Sequence, residues 1–232
     1  TSNGRFSAET ELSLADLPAV RIHLIRGSFI FSRGDSSLTF SDNVSGYLDA
    51  RSDEEMHINA HGSILSDSLN TVFSARINRK TGNAVFDVTG KQCDMSRRNL
   101  ELVTGDIVPS SGMIDFHLFL EKNDKEYNRT GEFVVRGGAF TMKEAGITVS
   151  DIGIEGDIGG DEVYFPVVSG KIFGISPELN GVLRLKPKAE LSLSLTAENV
   201  NIGDAAKEIF PEWERYPGGV AGLTASIDGS LE

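Results

Sequence analysis

The chain has 232 residues, a net charge of −12 and a single cysteine, and each of these values excludes a class of protein. The net negative charge repels phosphate backbones and anionic membrane surfaces. We therefore expect no nucleic-acid partner. One cysteine excludes an intrachain disulfide and a thiolate metal cluster, and no stretch of about 18 apolar residues could span a bilayer as a helix.

Apolar and polar residues alternate with period two along most of the chain, which is typical of half-buried β-strands. Short turn signals, such as KTGN at 80–83 and GGD at 159–161, separate the alternating series, and connections of this length join antiparallel neighbours. The sequence therefore predicts a mainly β fold, an antiparallel meander with one apolar and one polar face. In chain order, the alternating series occupy residues 56–60, 73–77, 84–88, 114–120, 152–154, 163–167, 191–197 and 223–227.

Two short segments are predicted to be helical, near residues 94–103 and near residues 203–210. In the second segment, Asp204 is the predicted N-cap and Pro211 ends the helix, because proline cannot continue it. Each predicted helix follows the end of a strand and precedes a strand that begins with glycine.

The chain repeats its landmarks with a spacing of 107 to 109 residues. The segment LTFSD at 38–42 returns as ITVSD at 147–151, and Gly112 returns as Gly219. Such a spacing predicts two β-repeat units, residues 1–125 and residues 126–232, each with one short helix. Because the chain opens and closes within this pattern, we expect it to be part of a longer protein.

Motifs that carry catalytic chemistry are missing from the sequence. It has no nucleophile elbow, no two-histidine zinc helix and no phosphate-binding loop. His57 and His61 lie four apart in a predicted strand, too far apart to hold one metal ion. The acidic clusters at 53–55 and 157–162 lack the ligand spacing of a calcium loop and are typical of solvated turns. We therefore expect no enzyme activity, no metal site and no cofactor.

The second predicted unit carries the most recognisable motif, the run AELSLSLTAENV at 189–200, followed by the predicted short helix and the glycine pair 218–219. This run resembles the AsmA-like superfamily of diderm bacteria, which includes the TamB proteins. The resemblance implies an elongated sheet curled into an open apolar groove, a "β-taco", as in bridge-like lipid transfer proteins. It also implies a periplasmic segment of a protein anchored in the inner membrane, with an outer-membrane partner outside this segment and a role in outer-membrane biogenesis.

The first functional hypothesis is that the groove binds phospholipid and conducts its acyl chains between the two membranes. The mechanism would be passive, with tails sliding along the apolar face while headgroups stay in water. The predicted lipid-binding residues come from the two longest alternating series: Ile114, Phe116, Leu118, Leu120, Leu191, Leu193 and Leu195.

Two alternatives remain open at this point. The pattern of residues is equally expected in a closed sandwich or barrel, in which the two apolar walls meet. The chain would then be a non-catalytic structural or interaction module that docks envelope proteins through its sheet edges. A carbohydrate-binding or carbohydrate-cleaving β-protein is a third hypothesis, and it requires exposed aromatic side chains that converge on a cleft. Trp213, the only tryptophan, is instead expected to anchor the second helix to the sheet.

Overall fold

The structure is a computed structural model that describes residues 19–33, 36–96, 107–124, 126–144, 146–185 and 189–231. It contains one antiparallel sheet of twelve strands that follow one another in sequence order, so the prediction of a mainly β meander is confirmed. The strands are β1 (Arg21–Arg33), β2 (Ser36–Asp49), β3 (Glu55–Ile64), β4 (Thr71–Asn78), β5 (Ala84–Asp94), β6 (Ile107–Asn123), β7 (Glu126–Met142), β8 (Ile147–Gly159), β9 (Glu162–Lys171), β10 (Glu178–Arg184), β11 (Ala189–Asn201) and β12 (Val220–Leu231).

The hairpin between β4 and β5 illustrates how the local sequence sets the topology. The Asn78 side-chain oxygen accepts hydrogen bonds from the backbone amides of Lys80 (3.0 Å) and Thr81 (2.9 Å). Gly82 then takes a φ of 73°, a conformation that is open to glycine at little cost. The chain therefore reverses within a few residues and pairs the two strands as antiparallel neighbours.

A helix, α1 (Ile202–Ile209), directly follows β11, in the place where the sequence predicts the second helix. Its N-cap is Asn201 and not Asp204, because the Asn201 side-chain oxygen accepts from the backbone amides of Gly203 and Asp204. The helix ends immediately before Phe210 and Pro211. Of the first predicted helix, Asp94 is the last residue of β5 and Met95 and Ser96 form a turn. Its remaining residues, 97–103, lie outside the described residues.

Among the described strands, six have a bulge in which two residues face one residue of the next strand and one residue has a positive φ. In each bulge one residue has a φ between 52° and 61°. Bulges bend strands and increase their twist. These six lie at similar levels along their strands, and we call them the bulge line. The residues with positive φ are Arg26 in β1, Asn43 in β2, Gln92 in β5, Gly137 in β7, Asp151 in β8 and Asn199 in β11.

The described strands belong to a single sheet. Each strand makes extended contacts only with its neighbours in the sheet, and α1 contacts β11. The outermost strands are β1 and β12. Among the described residues, no helix combines the length and apolar character needed to cross a bilayer.

Two buried clusters form the core, and both lie in β2–β6 and their connections. One contains Ala50, Met56, Ile77 and Ala84, and the buried Arg79 closes it by donating to the carbonyls of Ala50 (3.1 Å) and Ser52 (2.8 Å). The other contains Leu65 and Cys93 and packs against residues of β6 and the turn after β5. The core is therefore concentrated in the first half of the sheet.

Candidate functional site

All seven predicted lipid-binding residues lie on the same face of the sheet. Residues directly opposite each other in an antiparallel pair project on one side, so a path of paired residues connects the two series. We call this side the apolar face. From β6 to β11 the path runs through Leu118, Gly131, Ile158, Val163, Leu183 and Leu191.

These seven side chains are only partly covered. Leu118 is 38% exposed and the other six are half-buried. In a two-layer protein such residues would be sealed by the opposing layer, whereas here all twelve described strands belong to one sheet. The apolar face therefore retains hydrophobic surface that a ligand or a partner could remove from water.

An apolar cavity of about 480 Å³ opens on this face and is lined by residues of β1 to β5. Ser41, His61 and Thr71 also reach its wall, but most of its lining is apolar. None of the seven predicted residues lines it, although Val88 in its wall pairs directly with Leu118. The apolar lining residues include Leu24, Val44, Ile58, Ala60, Ile64, Phe73 and Val88.

Aromatic rings on the apolar face lie over glycines of the adjacent strands. A β-carbon on Gly90 would lie 2.4 Å from the Phe116 ring, and one on Gly156 would lie 2.3 Å from the Phe133 ring. The Phe133 ring also contacts Phe165 edge-on, with 6.1 Å between centroids. Glycine is therefore required beneath these two rings, which form flat apolar patches on the face.

Three other glycines on the apolar face bring neighbouring backbones close together. A β-carbon on Gly46, Gly131 or Gly181 would lie 2.1 to 2.5 Å from a backbone carbonyl oxygen of the adjacent strand. Contacts this short mean that the neighbouring strand approaches over the apolar side of each glycine. Glycine is therefore required at these positions, because the adjacent backbone lies too close for a side chain.

The opposite, polar face carries ion pairs, and one of them joins Asp115 in β6 to Arg136 in β7. Its carboxylate accepts from the Gln92 backbone amide (2.6 Å) and from the Arg136 guanidinium (2.6 Å). The Gln92 amide first, and then Arg136, lower the pKa of Asp115 below its usual value. This carboxylate thus ties the bulge of β5 to the bulge of β7 across β6.

At the end of β2, Asp49 is held by two arginines. The Arg51 guanidinium donates two hydrogen bonds to its carboxylate, and Arg21 lies 3.5 Å away. The hydrogen bonds from Arg51 lower the pKa of Asp49 to about 2. Arg21 also lies over the Tyr47 ring, 4.3 Å from its centroid. The Asp49 carboxylate is therefore paired with arginines of the chain itself and is not free to bind a ligand.

Cys93 behaves as a small apolar residue. It is fully buried, and burial raises the pKa of its thiol. The Asn70 side chain donates to its sulfur (3.3 Å) and to the carbonyls of Ile64 (3.0 Å) and Lys91 (2.8 Å). A thiol that is neither exposed nor ionised is not a nucleophile.

The described residues hold no cluster of three or more His, Cys, Asp or Glu side chains placed to bind a metal ion. The histidine–carboxylate pairs in this part of the chain, His57 with Glu55 (3.3 Å) and His117 with Asp87 (3.1 Å), lie on the polar face. Trp213 stacks on Phe210 with 4.4 Å between ring centroids and is 46% exposed. The chemistry that the apolar face supports is non-covalent binding of an apolar ligand.

Comparison with known proteins gives no match to this chain, whether with protein-family models, with curated proteins or with solved structures.

Proposed function

We propose that this chain binds acyl chains on the apolar face of its sheet and is a non-catalytic segment of a lipid-conducting protein. The observation that carries the proposal is the apolar cavity of about 480 Å³ that opens on the incompletely buried apolar face of the described sheet. Its volume lies within the range of about 300–1,000 Å³ that is usual for small-molecule sites. A flexible hydrocarbon chain suits it, because its wall offers few polar groups to orient a polar ligand.

The hydrophobic effect supplies enough free energy for such binding. Each methylene removed from water contributes about 0.8 kcal/mol, so a long acyl chain gains on the order of 10 kcal/mol before ordering costs. The half-buried side chains of β6 and β11 extend the apolar surface beyond the cavity. A charged headgroup would remain in water, since the face is open.

Two features support a curved, open groove as the form of this face. The bulge line would bend the strands along one line across the sheet. Gly46, Gly131 and Gly181 let neighbouring backbones close in on the apolar side. A sheet bent in this way forms a trough that runs across its strands, and a hydrocarbon chain lying in it would contact several strands in turn.

Recurring backbone conformations support two repeat units along this trough. Left-handed residues occur at Asn43 and Asp151, at Leu65 and Phe173, and at Gln92 and Asn199, pairs that are 107 or 108 residues apart. Gly112 and Gly219, 107 residues apart, have φ values of 125° and 136°. Six strands per unit, β1–β6 and β7–β12, would match the sequence-based boundary between residues 125 and 126.

The resemblance to AsmA-like proteins extends the proposal from binding to transport. In that case the chain would be a periplasmic segment of a protein anchored in the inner membrane, and phospholipid tails would pass along the groove toward the outer membrane. The anchor and the outer-membrane partner would lie outside this segment. No step of this process requires a catalytic residue, because tails slide between equivalent apolar positions.

Adjacent residues of β4 provide a matched test, because Phe73 lines the cavity whereas Val72 is exposed on the polar face. Binding of a phospholipid with 16-carbon tails would be measured by native mass spectrometry and by titration with a fluorescent analogue. Phe73→Asp places a charge in the apolar wall, and we expect at least about tenfold weaker binding. Val88→Trp fills the cavity without adding charge and should also weaken binding, whereas Val72→Asp should bind as the parent chain does.

The proposal is contradicted if the parent chain binds no phospholipid, or if Val72→Asp and Phe73→Asp weaken binding equally. Circular dichroism of each variant shows whether the sheet is retained. Val88→Trp and Phe73→Asp act by different means. Loss of binding in both folded variants would therefore identify the cavity as the phospholipid-binding site.

A second candidate function is protein docking through the sheet edges. The observation that favours it is the length of the two outermost strands, β1 with 13 residues and β12 with 12. Edge strands of this length present many unpaired backbone groups to a partner strand. If protein docking is the sole function, the purified chain binds no phospholipid, so the same titration separates this candidate from the first.

A further inference from the structure

The two outermost strands expose apolar side chains where a next strand would pair. In β1 these are Ile22, Leu24 and Ile25, and in β12 they are Val220 and Leu223; their exposed fractions range from 45% to 77%. Within the described residues, β1 pairs only with β2 and β12 pairs only with β11. Both strands therefore combine open backbone groups with uncovered apolar side chains.

The junction of β6 with β7 inside the sheet has the same backbone features as these two edges. Gly112 in β6 has a φ of 125°, and Gly219, just before β12, has a φ of 136°. In β7 the residues Arg136 and Gly137 form a two-residue bulge against β8, as Ile25 and Arg26 of β1 do against β2. The edge of β12 thus resembles β6, and the edge of β1 resembles β7.

We infer that the two edges are complementary and that β12 of one copy of this chain pairs with β1 of a second copy. The internal junction supplies the register, because Met113 pairs with Arg136 and Phe116 pairs with Phe133. Transferred to the edges, this register places Val220 opposite Ile25 and Leu223 opposite Ile22. The inference concerns the edges alone and does not rest on lipid binding.

The side chains fit this register on both faces of the joined sheet. Ile22 shares a face with Leu48, and Leu223 shares a face with Ala197, both on the apolar face, so the apolar faces of the two copies become continuous. Val220 and Ile25 meet on the opposite side, where both are exposed in the single copy. A head-to-tail contact of this kind does not close on itself, so copies add in a row.

Cross-linking between variants of the full chain that each carry one added cysteine tests the register. Equal mixtures of Val220→Cys with Ile25→Cys, and of Leu223→Cys with Ile22→Cys, should form a dimer of twice the 25.0 kDa chain mass with a short thiol-specific cross-linker. The mismatched mixtures, Val220→Cys with Ile22→Cys and Leu223→Cys with Ile25→Cys, use the same four variants three residues out of register. We expect about tenfold less dimer from them, because directly opposite β-carbons alone lie within about 5.5 Å. Cys93 is fully buried and stays unlabelled.

Sedimentation of the chain without added cysteines gives the second measurement. We expect the mean mass to rise with concentration, and Val220→Asp to weaken this association by at least about tenfold, since it places a charge at the joined edge. Val72→Asp, on the central strand β4, should associate as the parent chain does. A monomer at all concentrations, or equal cross-linking of matched and mismatched mixtures, would overturn the inference. If the backbone amides at the β1 edge of such a monomer are protected from hydrogen exchange, residues 1–18 and not a second copy would be the segment that covers this edge.

Discussion

The two halves of the sheet, β1–β6 and β7–β12, show how the same alternation can produce different amounts of core. In the first half, Met56, Ile77 and Ala84 form one buried cluster, and Leu65 and Cys93 form another. In the second half, the buried apolar residues of the strands lie separately in β7, β8, β9 and β11, and the described residues form no third cluster there. Alternation thus defines which face is apolar but does not determine how well that face is closed.

Polar side chains that join separate segments by hydrogen bonds, which we call staples, account for part of this difference. Arg79 closes the cluster around Met56 by donating to two loop carbonyls. Asn70 closes the other cluster, since its side chain bonds to both sides of the gap between β3 and β5. The residues 107 and 108 positions after Asn70 are Pro177 and Glu178, and neither carries an amide side chain. The first half is therefore the more rigid part, and we expect the second half to open first.

The largest expected effect is the loss of stability when Met56, a buried residue of the first half of the sheet, is truncated. Met56→Ala should lower the free energy of unfolding by about 3 kcal/mol, because it leaves a cavity in a packed cluster. Leu193→Ala, the matched truncation of a half-buried residue in the second half, should cost about 1 kcal/mol. Urea unfolding followed by circular dichroism measures both, and equal costs would remove the distinction between the halves.

The Asn70 staple should have the next largest effect. Asn70→Ala removes five hydrogen bonds of one side chain and leaves the Ile64 backbone groups without these partners, so we expect a loss of about 2 kcal/mol. Asn59→Ala, which removes one hydrogen bond to the Tyr47 hydroxyl, is the control and should cost less than about 1 kcal/mol. If the two variants unfold at the same urea concentration, Asn70 does not act as a staple.

Cys93 provides a smaller test of the same core. Cys93→Ala should cost about 1 kcal/mol, because it removes only one sulfur from a filled site. In the parent chain the thiol should react with a disulfide reagent only when the cluster opens, so its rate of labelling should rise with urea. Immediate labelling in the native chain would contradict the closed cluster around this residue.

The smallest effect concerns the pH dependence that Asp115 contributes through its lowered pKa. A carboxylate with a lowered folded pKa stabilises the protein above its unfolded value, near 3.8, and this contribution is lost as pH falls through the folded value. The urea midpoint of Asp115→Asn should therefore fall less between pH 5 and pH 3 than that of the parent chain. Parallel pH profiles of the two chains would show that the carboxylate is not stabilised in the folded state.

The sequence predicts the meander and the common face of β6 and β11, because both follow directly from alternation. It does not locate the bulges, which shift the alternation: Val88 lies on the apolar face, and after the bulge at Gln92 so does Cys93. Asn43, Asp151 and Asn199 carry a detectable signal, since asparagine and aspartate tolerate positive φ, but Arg26 and Gln92 carry none. The cavity was missed because its wall combines five strands, and single-strand periodicity does not rank one part of a face above another.

The most direct test of the central claim is photo-cross-linking from four consecutive positions of β6, residues 116–119. A benzophenone amino acid would be introduced at each position in turn, and the chain would be exposed to radiolabelled phospholipid. Binding of acyl chains on the apolar face predicts labelling from Phe116 and Leu118 and little labelling from His117 and Phe119. Equal labelling from all four positions, or from none of them, would contradict the account.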